Sequence, residues 1–110
     1  MQTYDKVLDA LGDPTRRAIL DTLKRGARPV GGLAARLPVS RPAVSQHLKI
    51  LKEAGLVTDR RNGTRRLYQL DADGIERVRA YLDTFWSAAL ANLKAVAESD
   101  HRNRTRRRKA

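Results

Sequence analysis

Ser45, Gln46 and Lys49 lie close together in "SRPAVSQHLKILKEAGL", residues 40–56. Wound as a helix, they place a hydroxyl, a carboxamide and an ammonium on one side. Pro42 and Lys52 share that side, whereas Val44, Leu48 and Leu51, spaced by four and three, form the opposite, core-facing stripe. A solvated helix face ordinarily mixes Glu with Lys, yet Glu53 is the only carboxylate in this stretch. Shortly downstream, Arg60, Arg61, Arg65 and Arg66 flank Asn62-Gly63-Thr64. Small donors and acceptors on a helix followed by a cluster of guanidinium groups suit a partner that is negatively charged and rich in hydrogen-bonding edges. On composition alone, a plain solvated face explains Ser45 and Gln46 equally well.

Other chemistries are poorly supplied. The chain has no cysteine, so disulfides, thiolate metal sites and thiol redox switching are excluded, and a reducing cytoplasm is the expected location. His47 and His101 are its two histidines, and no nucleophile–base–acid set or Gly-rich phosphate loop can be assembled around them. We therefore expect no enzyme activity, no cofactor and no metal. His47 falls beside the core stripe with Ala43, Ile50 and Ala54. A half-buried, hydrogen-bonded imidazole is its simpler reading, ahead of a phosphate contact or a pH sensor.

The charge balance points the same way as the helix. Across 110 residues, 23 Lys and Arg oppose 12 Asp and Glu, a formal charge of +11, which attracts polyanions, nucleic acid first and acidic membrane second. The charge is concentrated: residues 101–110 carry +6 and residues 41–70 carry +5, leaving the rest near neutral. No stretch approaches the roughly 20 apolar residues of a membrane span, and no export or anchoring signal is visible.

These residues must be positioned by a small, mainly helical domain, as the 41% hydrophobic and 5% aromatic content suggests. Tyr4, Val7, Leu8 and Leu11 recur at helical spacing up to Gly12. In "DPTRRAILDTLKRG", Asp13 is set to cap, Pro14 to take the first helical position and Gly26 to stop the helix. "VGGLAARL" reads as a short, weak helix and "PVS" as a three-residue turn into the helix of the opening stretch. There Arg41 is favoured over Ser40 as cap, because a residue preceding proline avoids the helical region. Two β-prone runs around Asn62-Gly63 predict a hairpin, the only β-structure expected. From Asp73, apolar residues Ile75, Val78, Leu82, Phe85, Ala89, Leu93 and Val96 predict one long helix, with Trp86 and Leu90 widening the stripe. About 25 residues of helix span nearly 40 Å, more than so small a domain covers alone, so a second copy of the chain is the expected cover. The last residues show no periodicity and read as a disordered basic tail, which serves as a solubilising segment or attracts phosphate nonspecifically.

Helix, tight turn, polar-faced helix and basic hairpin in this order make a winged helix-turn-helix. With "DPTRRAILDTL", "PAVSQHLKILKEAGLV", "RRNGTRRLYQL" and the closing helix all present, residues 3–97 resemble the ArsR family of bacterial dimeric repressors. The resemblance implies a mainly α fold with a hairpin wing, dimeric through its first and last helices. Residues 1–97 would form the DNA-binding and dimerisation domain and 98–110 the tail.

Ser45, Gln46 and Lys49 would then read base edges in the major groove of double-stranded DNA. Arg41 and Pro42 would set register on phosphate, and Arg60, Arg61, Thr64, Arg65 and Arg66 of the wing would follow the backbone or enter the minor groove. Tyr4, Val7, Leu8, Leu11, Leu82, Phe85, Ala89 and Leu93 would form the dimer seam. The function implied is a sequence-specific repressor on a palindromic operator. An architectural, sequence-blind DNA-binding protein and a winged helix docking an acidic protein are the alternatives. Many relatives sense metals through cysteines before the turn or through His and carboxylates in the last helix; this chain has neither, which suggests the metal-independent, SdpR-like subgroup and leaves the effector unknown.

Overall fold

The computed structural model describes the backbone of residues 3–109 and the side chains of residues 4–104. The elements run α1 (Thr3–Leu11), α2 (Pro14–Leu23), α3 (Val30–Ala34), α4 (Arg41–Glu53), β1 (Val57–Asn62), β2 (Arg65–Leu70) and α5 (Ala72–Lys109). They fall into two compact units, Met1–Val78 and Arg79–Ala110.

In the first unit, α1, α2 and α4 pack against one another, and α3 and the hairpin close the remaining sides. Val44, Leu48 and Leu51 are buried as their spacing requires, together with Ile19, Leu23, Leu33, Leu56 and Val57. Truncating one of these leucines to alanine typically costs about 2–5 kcal/mol. Val7 joins this core at 4% exposure, which takes it out of the expected seam, and Leu11, half-buried, packs against the same core. The reason is that α1 contacts both α2 and α4, which consumes one side of its apolar surface and leaves Tyr4 and Leu8 outward.

Asp13 caps α2 as expected, its Oδ1 accepting from the backbone N–H of Thr15 at 2.8 Å and of Arg16 at 3.1 Å. The preceding α1 is closed by the next helix's arginines: Arg16 Nε donates to Ala10 O at 2.8 Å and Arg17 Nη1 to Leu11 O at 2.7 Å. Cationic donors at a helix C-terminus satisfy orphan carbonyls and complement the dipole.

Four local expectations are corrected. Ser40, not Arg41, caps α4: its φ/ψ of −74°/163° is extended and its Oγ accepts from Ala43 N–H at 3.3 Å. The hydroxyl bond outweighs the mild pre-proline restriction on Arg41, which becomes the first helical residue. Next, α3 has five residues, and Leu37 lies in the turn; Gly31 and Gly32 lower its helix propensity, and Pro38 disfavours a helical Leu37. The hairpin loop is Gly63-Thr64 rather than Asn62-Gly63, with Asn62 paired to Arg65. Gly63 alone in the loop has positive φ (66°), the sign pattern of a type II′ turn. Finally, Arg28 forms an antiparallel bridge with Tyr68, its N–H donating to Tyr68 O at 2.9 Å and its carbonyl oxygen accepting from Tyr68 N–H at 2.8 Å, so the loop after α2 borders the hairpin.

The second unit is the body of α5. The segment from residue 98, expected as an irregular tail, is helical through Lys109. Seven of its twelve residues are Glu, Lys or Arg, strong helix formers, so propensity sustains the helix where apolar periodicity has stopped. Leu82, Phe85, Trp86, Leu90, Leu93 and Val96 stand exposed on it, Phe85 at 60% and Trp86 at 62%, while Ala89 is half-buried. Among the described residues no helix is long and apolar enough to cross a membrane.

Candidate nucleic-acid interface

The core stripe of α4 fixes its opposite face outward. Ser45, Gln46 and Lys49 are all exposed, and none has a side-chain hydrogen bond or ion pair among the described residues. Arg41 and Pro42 are exposed in the first turn of α4. The Arg41 guanidinium lies back over α3, occupying room that exists because Gly31 has no side chain; a Cβ there would sit 2.7 Å from Arg41 Nη2. His47 is half-buried, with Nδ1 3.4 Å from Arg16 Nη1. An arginine can only donate, so Nδ1 is the acceptor in this contact.

The register of the hairpin sorts the wing. Pairs Val57–Leu70, Asp59–Tyr68 and Arg61–Arg66 share one face, and Thr58–Gln69, Arg60–Leu67 and Asn62–Arg65 share the other. Because Val57 is buried, the first face turns toward the body of the domain at its base. Arg60, Arg61, Thr64 and Arg65 are exposed, and their side chains are without hydrogen-bond or ion-pair partners among the described residues.

Arg66 differs. Its Nη1 donates to Asp59 Oδ2 at 2.8 Å, while Asp59 Oδ1 receives Lys52 Nζ of α4 at 2.7 Å. Diagonal neighbours on one face of an antiparallel pair lie within reach of long side chains, which brings Arg66 to Asp59 and relieves its like-charge opposition to Arg61. The Asp59 side chain is 7% exposed, and its two cations are roughly half exposed. Lys52 first, and then Arg66, hold this carboxyl below the usual aspartate range. Sequence reading missed Asp59. Period-two alternation from the apolar Val57 was the available signal, since it puts residue 59 on the inward face.

The expected residues of α4 and the wing tip are thus brought together in one unit, with Arg66 diverted to Asp59. Among the described residues, no group of three or more His, Cys, Asp or Glu could hold a metal ion.

Comparison with known proteins places this geometry. Residues 11–60 match a family model described as a helix-turn-helix domain. The HTH-type transcriptional regulator Rv2034 of Mycobacterium tuberculosis is 53% identical over 103 residues, covering 91% of this chain and 96% of that protein. The transcriptional repressor SdpR of Bacillus subtilis is 43% identical over 67 residues, 61% of this chain and 74% of the repressor. Among solved structures, the homodimeric winged helix-turn-helix DNA-binding domain of Mb0332 from Mycobacterium bovis, a possible ArsR-family transcriptional regulator, superposes with a TM-score of 0.65 at 32% identity. It covers 80% of this chain and 82% of its own.

Proposed function

This chain belongs to the ArsR family of winged helix-turn-helix transcriptional regulators, and from that membership we propose that it is a homodimeric, cytoplasmic repressor that reads a palindromic operator in double-stranded DNA. The observation that carries the reading is the row Ser45, Gln46 and Lys49, exposed and uncommitted on a helix whose other face is locked in the core. A B-DNA major groove about 12 Å wide admits a helix, and carboxamide, hydroxyl and ammonium groups match the base edges displayed there. Arg41 and Pro42 set the register of the helix on phosphate. Arg60, Arg61, Thr64 and Arg65 supply affinity along the backbone.

The second copy is the proposed cover for the large apolar side chains exposed on one chain, Tyr4 and Leu8 on α1 and Leu82, Phe85 and Leu93 on α5. Exposed apolar side chains of this kind mark an interface, and a two-fold dimer presents two reading helices to two half-sites. The homodimeric Mb0332 domain supports the same arrangement.

Selection of bound sequences from random duplexes, followed by salt titration on the selected and random DNA, tests the reading. We expect two inverted half-sites with centres separated by one helical turn, about 10 base pairs, or a multiple of it. Affinity for the selected site should exceed that for random DNA at least about a thousandfold. Equal affinities at every salt concentration would refute specific readout in favour of a charge-driven, architectural role.

A further inference from the structure

Lys52 extends the α4 row of Ser45 and Lys49 by another three positions and is half exposed, so by placement it should serve the interface as a phosphate contact. Arg66, in the middle of the basic wing, should do the same. Both are instead joined to one carboxylate, Lys52 Nζ at 2.7 Å from Oδ1 and Arg66 Nη1 at 2.8 Å from Oδ2 of Asp59. The acid is shielded from solvent, and between residues 41 and 70 it is one of two acids among seven cations.

We propose that Asp59 is a specificity-determining residue: it withholds Lys52 and Arg66 from the phosphate backbone, so that random DNA is bound less well and the discrimination exerted by Ser45, Gln46 and Lys49 is preserved. The inference rests on the DNA-binding reading given above. Its logic is that phosphate contacts reward every sequence alike, whereas base-edge contacts reward one. A surface presenting two more free cations, one on α4 and one on the wing, would raise affinity for all DNA and lower the ratio between operator and competitor. Asp59 holds both cations where they stand, cancelling one of their two charges, and leaves Arg60, Arg61 and Arg65, which it does not touch, to supply the backbone attraction.

The test is the salt dependence of binding for the intact protein and Asp59→Asn, on the selected duplex and on a random one of equal length. Each additional phosphate neutralised steepens the plot of log affinity against log salt by about 0.9. Asp59→Asn should steepen it by about 1–2 and bind random DNA about five- to tenfold more tightly near 0.1 M salt. The operator-to-random ratio should fall correspondingly. A damaged fold weakens binding and cannot produce this gain.

A second arm does not depend on Asp59→Asn folding. Lys52→Gln in the native background should change the slope by less than about 0.3, because that cation is already withheld. In the Asp59→Asn background the same change should flatten it by about 0.9. Overturning results are a slope for Asp59→Asn that matches the native protein, or a loss of about 0.9 for Lys52→Gln alone. A native chain that bound no duplex at any salt would take down the DNA-binding reading with it, whereas native binding with an inert Asp59→Asn would overturn this inference alone.

Discussion

Gly74 offers a test of the fold beneath the interface whose size can be worked from geometry. It lies in the first turn of α5 against the turn that ends α4, and a Cβ on it would sit 1.6 Å from the Gly55 carbonyl oxygen and 2.8 Å from its carbonyl carbon. Ordinary contact would require the two backbones to part by roughly 1.5–2 Å. Neither is free to move. Asp71 N–H donates to Leu56 O at 2.9 Å, and Asp71 Oδ1 accepts from the N–H groups of Asp73 and Gly74 at 3.1 and 3.2 Å. Leu56 and Val57, which follow Gly55, are 1% and 2% exposed. Gly74→Ala therefore either overpacks this junction, at about 1–3 kcal/mol, or also breaks the cap, at about 1 kcal/mol more. We expect about 3 kcal/mol in all, a fall in melting temperature on the order of 10–20 °C for a domain of this size. The control is Gly63→Ala at the wing tip, where nothing lies within 4 Å of the added methyl and only the left-handed φ of 66° is strained, at about 1–2 kcal/mol. Urea and thermal melts followed by circular dichroism, at matched protomer concentration, compare the two. If Gly74→Ala proved no more damaging than Gly63→Ala, the close approach of α5 to the α4 turn would be wrong.

Leu93→Glu places a carboxylate on the bare stripe of α5. It should convert a dimer into a monomer in sedimentation at micromolar concentration, and an unchanged sedimentation coefficient would remove that stripe from the seam. Gln46→Ala should cost about 1–3 kcal/mol on the selected operator and relax preference at one base pair per half-site, whereas Arg65→Ala should weaken all duplexes alike and lower the salt slope by about one per site. Asp13, held below the ordinary aspartate range by the Arg16 N–H first, lends stability that is present above about pH 4 and lost as pH falls through its lowered value. Asp13→Ala should therefore melt earlier than the native protein at pH 7, with the gap narrowing near pH 3. Operator affinity by fluorescence anisotropy should be the same with EDTA as with micromolar zinc, nickel, copper or arsenite; a saturable tenfold loss with any one would reveal a ligand set formed across two chains.

The parts of this molecule legible in its sequence are those governed by local periodicity. Val44, Leu48 and Leu51 declare the inner face of α4, and through it the outer face that carries Ser45, Gln46 and Lys49. Asp13-Pro14 marks a helix start because cap and fixed φ act within three residues. What stayed hidden depends on partners far apart in the chain. Arg16 and Arg17 look like free charge until α1 is laid against them. Val7 looks like seam until α2 and α4 use it. Arg28 gives no hint of Tyr68, forty positions on. Ser40 and Arg41 differ for another reason: two weak local rules compete there, and the hydroxyl bond to Ala43 decides.

Hidden partners also change what a net charge of +11 means. If every cation were an equivalent phosphate contact, charge would predict affinity and say nothing of selectivity. The structure divides them by the bonds they already make. Arg16 and Arg17 satisfy the carbonyls that end α1, and Lys24 pairs with Asp21 at 2.9 Å on the same helix. Lys52 and Arg66 are tied to Asp59. The cations of residues 41–70 without a hydrogen-bond or ion-pair partner among the described residues are Arg41, Lys49, Arg60, Arg61 and Arg65, one at the start of α4, one on its outer face and three on the wing. In the proposed DNA-binding role, the phosphate attraction of residues 41–70 is thereby concentrated on the surfaces that flank Ser45, Gln46 and Lys49, which favours the helix aligned with the groove. Specificity in that proposed role then depends as much on which charges are paired internally as on which side chains touch the bases.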